Sequence, residues 1–61
     1  MEKKLFRAEV KKQLYLRGWS YAQLAEALGY TTNSMRVIIN DDKRLNDKKM
    51  QIIASVLDIK L

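Results

Sequence analysis

An all-α chain is what this sequence predicts, and three observations carry the prediction. There is no Pro, and the two Gly, Gly18 and Gly29, fall where helices would end. Apolar residues recur at helical spacing in several separate stretches. No stretch shows the apolar–polar alternation of a strand, and there is no repeat or low-complexity segment. At 61 residues the chain has room for one compact domain, residues 1–61. That length lies near the lower limit at which a core alone can hold a fold. A hydrophobic content of 48% is enough to pack such a core.

The elements follow in order, four to five helices in all. The first helix is expected from Glu2 to Arg17. Phe6, Val10 and Leu14 recur at i, i+4 and i+8, with Leu5 and Ala8 alongside them. Lys3, Lys4, Arg7, Lys11 and Lys12 occupy its other faces. Gly18 suits the positive φ of a C-terminal cap. Trp19 follows as a hydrophobic staple, and with Tyr15 it is expected at the edge of the core. Ser20-Tyr21-Ala22-Gln23 fits a capping box, and Tyr21 to Leu28 forms the second helix with Leu24, Ala25 and Leu28 on one face. Ala25 is small enough to let a neighbouring helix approach closely. Gly29 supplies a sharp turn, and Thr31 or Thr32 caps a third helix that runs to about Asn40. Asn40 to Asn46 reads as a polar loop anchored by Leu45. Asn46 or Asp47 caps a fourth helix, with Met50, Ile53, Ala54 and Leu57 at core spacing. Ile52, Val56, Ile59 and Leu61 exceed what one internal face requires. They are either additional core or a dimer surface.

Composition excludes several kinds of chemistry. Without Cys or His there are no disulfides, thiol nucleophiles or imidazole bases, and nearly all zinc chemistry is removed. Ser20, Ser34 and Ser55 have no His to activate them, and there is no Gly-rich phosphate loop. An enzyme is therefore not expected, nor a cofactor or a small-molecule substrate. Asp41 and Asp42 have the acidic spacing of a calcium loop, but the required glycine and distal glutamate are missing, so no metal is expected. The apolar runs are too short to span a membrane and no signal-peptide core follows the start, which points to a cytoplasmic protein. Twelve Lys and Arg against seven Asp and Glu give a formal net charge of +5, which favours a polyanionic partner but also serves solubility.

The third helix narrows the choice. At about 100° per residue, Met35, Ile38 and Ile39 fall within one arc and form a core stripe. Asn33, Arg36, Val37 and Asn40 cluster on the opposite side, with Thr32 at its edge. These side chains can meet base edges: Asn bonds adenine at two atoms, Arg does the same to guanine, and Thr or Val touches a thymine methyl. An ordinary surface helix could also have a polar outside. This one lacks the Glu and Lys that solvated helices usually carry, and its Asn, Thr and Ser have poor helix propensity. Something other than helix stability explains such a face. Lys43, Arg44, Lys48 and Lys49 bracket the helix and could grip phosphates. The amides around Ser20 and Tyr21 offer a further phosphate site at the start of the second helix.

These residues resemble the lambda-repressor-like helix-turn-helix proteins, the Cro/C1 or XRE type of prokaryotic and phage regulators. Leu24-Ala25-Glu26-Ala27-Leu28-Gly29 looks like the family's L-A-x-x-L/M-G core. Ile38-Ile39-Asn40 is similar to its closing apolar-x-Asn segment. Leu45-Asn46 and Met50 to Leu57 resemble the helix that completes the fold. The likeness covers roughly residues 5 to 59, with the motif at about 20–40. It implies an all-α, lambda-repressor-like helix-turn-helix domain. It also implies that Thr32 and Asn33 are the main base readers, with Arg36, Val37 and Asn40 on the same face. Ser20, Tyr21, Thr31, Ser34, Lys43, Arg44 and Lys48 are then phosphate contacts. Two positions depart from the pattern. Tyr21 stands where the family usually has a Gln that bonds phosphate, and Asp41 replaces the glycine that commonly follows the Asn, so a different loop conformation is expected.

The expected function is therefore a sequence-specific regulator that binds double-stranded DNA at a palindromic operator, a small Cro-like repressor acting as a homodimer. One reading helix covers only a few base pairs, and dimerisation on a palindrome doubles the site. The alternative is a protein-interaction module on the same fold, of antirepressor or antitoxin type. The Asp41-Asp42 pair and the missing Gln favour that alternative.

Overall fold

The computed structural model describes all residues from Met1 to Leu61. It contains four helices and no strand: α1 (Lys3–Arg17), α2 (Tyr21–Leu28), α3 (Thr32–Asn40) and α4 (Asp47–Leu57). Each begins and ends for a local reason. Glu2 is the N-cap of α1, one residue later than a helix starting at Glu2 would have it. Gly18 closes the same helix at φ 67°, in the left-handed region that costs glycine nothing. At the head of α2, Gln23 Oε1 accepts from both the Ser20 amide and the Ser20 hydroxyl, the latter at 2.7 Å. Gly29 ends α2 at φ 78° and redirects the chain into α3 within three residues. Thr31, rather than Thr32, caps α3, accepting from the Ser34 amide at 3.1 Å. Asn46, rather than Asp47, caps α4, accepting from the Lys49 amide at 2.9 Å.

All four helices contribute to one apolar cluster. Phe6, Val10 and Leu14 come from α1, Leu24 and Ala25 from α2, Met35, Ile38 and Ile39 from α3, and Met50, Ile53, Ala54 and Leu57 from α4. Leu45 plugs the same core from the α3–α4 connection and is fully buried. Deleting such a side chain to Ala typically costs about 2–5 kcal/mol, a large share of a small domain's stability. α2 packs mainly on α3 and also on α4, while α1 lies across α4. Arg17 reinforces this end of the molecule by donating to the Leu57 carbonyl at 3.1 Å.

Several expectations about apolar positions need correction. Leu5 is 60% exposed and Ala8 is exposed too, because the inward arc of α1 is fully occupied by Phe6, Val10 and Leu14. Tyr15 is not at the core edge. It is 85% exposed, whereas Trp19 does pack against the core. Ile59 belongs to the core at 8% exposure and so leaves the set available for a dimer surface. Ile52 and Leu61 stay exposed, and Val56 is half-buried. No helix is long and apolar enough to cross a membrane.

Candidate nucleic-acid interface

The Gly29 turn sets α3 against α2 so that Leu24 and Ala25 of α2 and Met35, Ile38 and Ile39 of α3 are all buried. The opposite side of α3 must then face outwards. Asn33, Ser34, Arg36, Val37 and Asn40 are exposed, and Thr32 is half-buried at the margin. Val37 keeps 40% of its surface open on an otherwise polar face, where a methyl group can meet a thymine methyl. Arg36 forms no ion pair, and α3 contains no acidic residue before its cap. The Asn33 side chain makes no hydrogen bond within the fold, while Asn40 Nδ2 donates to the Arg36 carbonyl at 2.9 Å. Asn40 thus lies on the outer face of α3 but spends its amide donor on its own helix.

The positions expected at phosphates divide into two groups. Lys43 and Lys48 are exposed without an acidic partner, and Arg44 is exposed with Asp41 3.4 Å from its Nε. Thr31 and Ser34 are exposed but bonded to each other, hydroxyl to hydroxyl at 2.9 Å, as part of the α3 cap. The Ser20 amide is likewise already taken by Gln23. Local capping therefore uses donors that sequence alone would assign to phosphate.

The acidic pair beside α3 is folded into the protein's own contacts. Asp41 Oδ1 accepts from the Lys43 amide at 2.9 Å, an Asx-type turn. The Asp42 carboxylate is engaged by Arg7 of α1. The Arg7 hydrogen bond, aided by the Arg7 charge and by Lys3, holds Asp42 below its ordinary pKa of 3.8. Asp41 itself has φ −113° and ψ 112°, ordinary extended backbone. This chain consequently needs no glycine where Asp41 stands.

One residue of this region was not anticipated. Lys11 of α1, Tyr15, Trp19, Ser20, Tyr21 and Arg36 line an open groove of about 450 Å³ at the head of α2. Two cations without acidic partners and three aromatic rings thus share one concavity, bordered on one side by α3. Nothing in the local pattern distinguishes Lys11 from Lys4 or Lys12, since only the tertiary fold brings it to the groove at the head of α2. Tyr21, in place of the usual Gln, is half-buried here and packs against the core.

Two short helices joined by a glycine turn, the second with its inner face buried and its outer face open and free of acid, define a helix-turn-helix protein. A family model described as helix-turn-helix matches residues 10–61, most of the chain. The chain belongs to that family, the Cro/C1-type or XRE helix-turn-helix proteins, a family of DNA-binding regulators. No curated protein and no solved structure matches it.

Proposed function

We propose that this chain is a sequence-specific regulator of transcription, a small Cro-like repressor that occupies a palindromic operator in double-stranded DNA as a homodimer. The observation that carries this reading is the outer face of α3. Asn33, Arg36 and Val37 are exposed there, no acidic group pairs with them, and the face lies opposite a fully committed core stripe. Thr32 and Asn33, at the start of the helix, go deepest into the groove. Lys43, Arg44 and Lys48 hold phosphates on one side. Lys11 joins Tyr21 on the other, since both donors of Ser20 are committed to Gln23, and Arg36 belongs to the outer face of α3 and to the groove alike.

Repression by occupancy needs no catalysis. The bound regulator excludes other proteins from the same duplex. Dimerisation uses Ile52, Val56 and Leu61, the apolar side chains left partly open along α4 and after it. Of the two features that favour the rival, a protein-interaction module, the Asp41-Asp42 pair is partnered within the fold, while Tyr21 still stands in place of the Gln.

Selection of bound duplexes from a random pool tests the proposal. A palindromic consensus with half-sites about one helical turn apart is the expected result. Affinity should also fall steeply with salt, with a slope of about −0.9 per phosphate contacted. A chain that enriches no sequence and shows no salt-dependent binding would instead be the interaction module.

A further inference from the structure

Three of the four helices close their C-termini by the same device. Gly18, Gly29 and Asp58 adopt left-handed conformations, and in each case the cap amide bonds back to a carbonyl of the last turn. α3 lacks this device, because extended Asp41 follows it. Two carbonyls near its end take side-chain donors instead. Asn40 supplies one, to the Arg36 carbonyl, and Arg7 supplies another from α1, its Nε donating to the Ile39 carbonyl. Through Nη2 the same guanidinium donates to the Asp42 carboxylate, and Lys3 donates to the Asp42 carbonyl. Arg7 has 21% of its side chain exposed, so the contact lies partly within the fold. A planar guanidinium can offer Nε and Nη2 in fixed relation, which a lysine ammonium cannot. Both Lys3 and Arg7 precede the residues that the family model matches, so the donor side of the contact lies outside the matched segment.

We propose that Arg7 is a positioning residue. From α1 it fixes the last turn of α3 and holds the Asp42 carboxylate against the protein, and so sets how sharply α3 discriminates between base sequences. This rests on α3 being the helix that reads DNA. Arg7 acts through the Ile39 carbonyl and Asp42, and touches no base.

Three single variants, Arg7→Gln, Arg7→Lys and Asp42→Asn, test the proposal with two readouts. The first is amide hydrogen exchange of the free protein. Arg7→Gln should speed exchange at Arg36 to Asn40 by about fivefold relative to α2, as expected for losing a partly exposed charged hydrogen bond. The second is the ratio of affinities for the selected duplex and a scrambled one at fixed salt. Arg7→Gln should lower that ratio about threefold or more, and Arg7→Lys should fail to restore it, although it keeps the charge. Asp42→Asn removes an acid near a polyanion, so charge alone would strengthen binding to both duplexes and leave the ratio unchanged. The positioning role requires the ratio to fall. Unchanged exchange in α3, uniformly faster exchange in all four helices, or a wild-type ratio in Arg7→Lys would each overturn the proposal. If the wild-type chain selects no duplex at all, the DNA reading fails and the exchange comparison alone decides whether Arg7 fixes the end of α3.

Discussion

Asn33 and Asn40 present the same side chain on the same face of α3, yet only Asn33 keeps its amide free. Asn40 donates to the Arg36 carbonyl, so its first contribution is to the end of the helix. Asn33→Ala should therefore cost about 1–3 kcal/mol on the selected duplex and relax the preference at one base position, as competition against single-base variants of that duplex would show. Asn40→Ala should disturb base preference less. Lys43 is proposed at a phosphate. Its replacement by Ala should weaken binding to all duplexes alike and reduce the salt slope by about 1, in a titration of affinity against salt. If all three changes lowered affinity uniformly, the reading face would have been misassigned. Gly29 matters by its backbone. A Cβ there meets nothing within 4 Å, so Gly29→Ala should cost about 1–2 kcal/mol of unfolding free energy from the left-handed φ alone.

At the scale of elements, α3 is the least self-sufficient helix. It is nine residues long, rich in Asn, Thr and Ser, and without a left-handed C-cap. Such a segment is marginal as an isolated helix, so packing and capping must hold it. Thr31 contributes one orphan-amide partner at its head. Thr31→Ala should destabilise the protein by about 1 kcal/mol in denaturant unfolding and weaken DNA binding as α3 frays. Thr31→Ser should largely preserve both, because the acceptor oxygen remains. α2 has better helix formers and its own box from Ser20 and Gln23, so it serves as the rigid base against which α3 is set.

For the whole molecule, the charge balance and the ties between distant helices decide behaviour. Asp42 loses its proton more readily in the folded protein than in the unfolded chain, because Arg7 bonds and faces its carboxylate. Its stabilising contribution is therefore fully present above its ordinary value of 3.8 and is lost as pH falls through the lowered folded value. Thermal unfolding of wild type and Asp42→Asn should accordingly differ near neutral pH and converge once the pH has fallen through the lowered folded value of Asp42, the gap shrinking in high salt. A second test at this scale concerns association. Ile52→Glu should shift a dimer towards monomer in sedimentation, with little change in monomer unfolding, because this side chain is exposed in the single chain.

Helix spacing, the two glycines and the polar capping residues were legible because each acts within a few residues of itself. Phe6, Val10 and Leu14, Leu24 and Ala25, and Met50 to Leu57 announce their buried faces by periodicity alone. The outer face of α3 was legible for the same reason, since burying Met35, Ile38 and Ile39 leaves Asn33, Arg36 and Val37 nowhere else to point. Tertiary structure decided what periodicity cannot. It placed Ile59 in the core and left Leu5 and Tyr15 in solvent. It brought Lys11 and Arg36 to one groove, and it tied Arg7 to Asp42 and the end of α3. Contacts between residues more than thirty positions apart depend on how the helices cross, and one chain read in order carries no local signal of that angle.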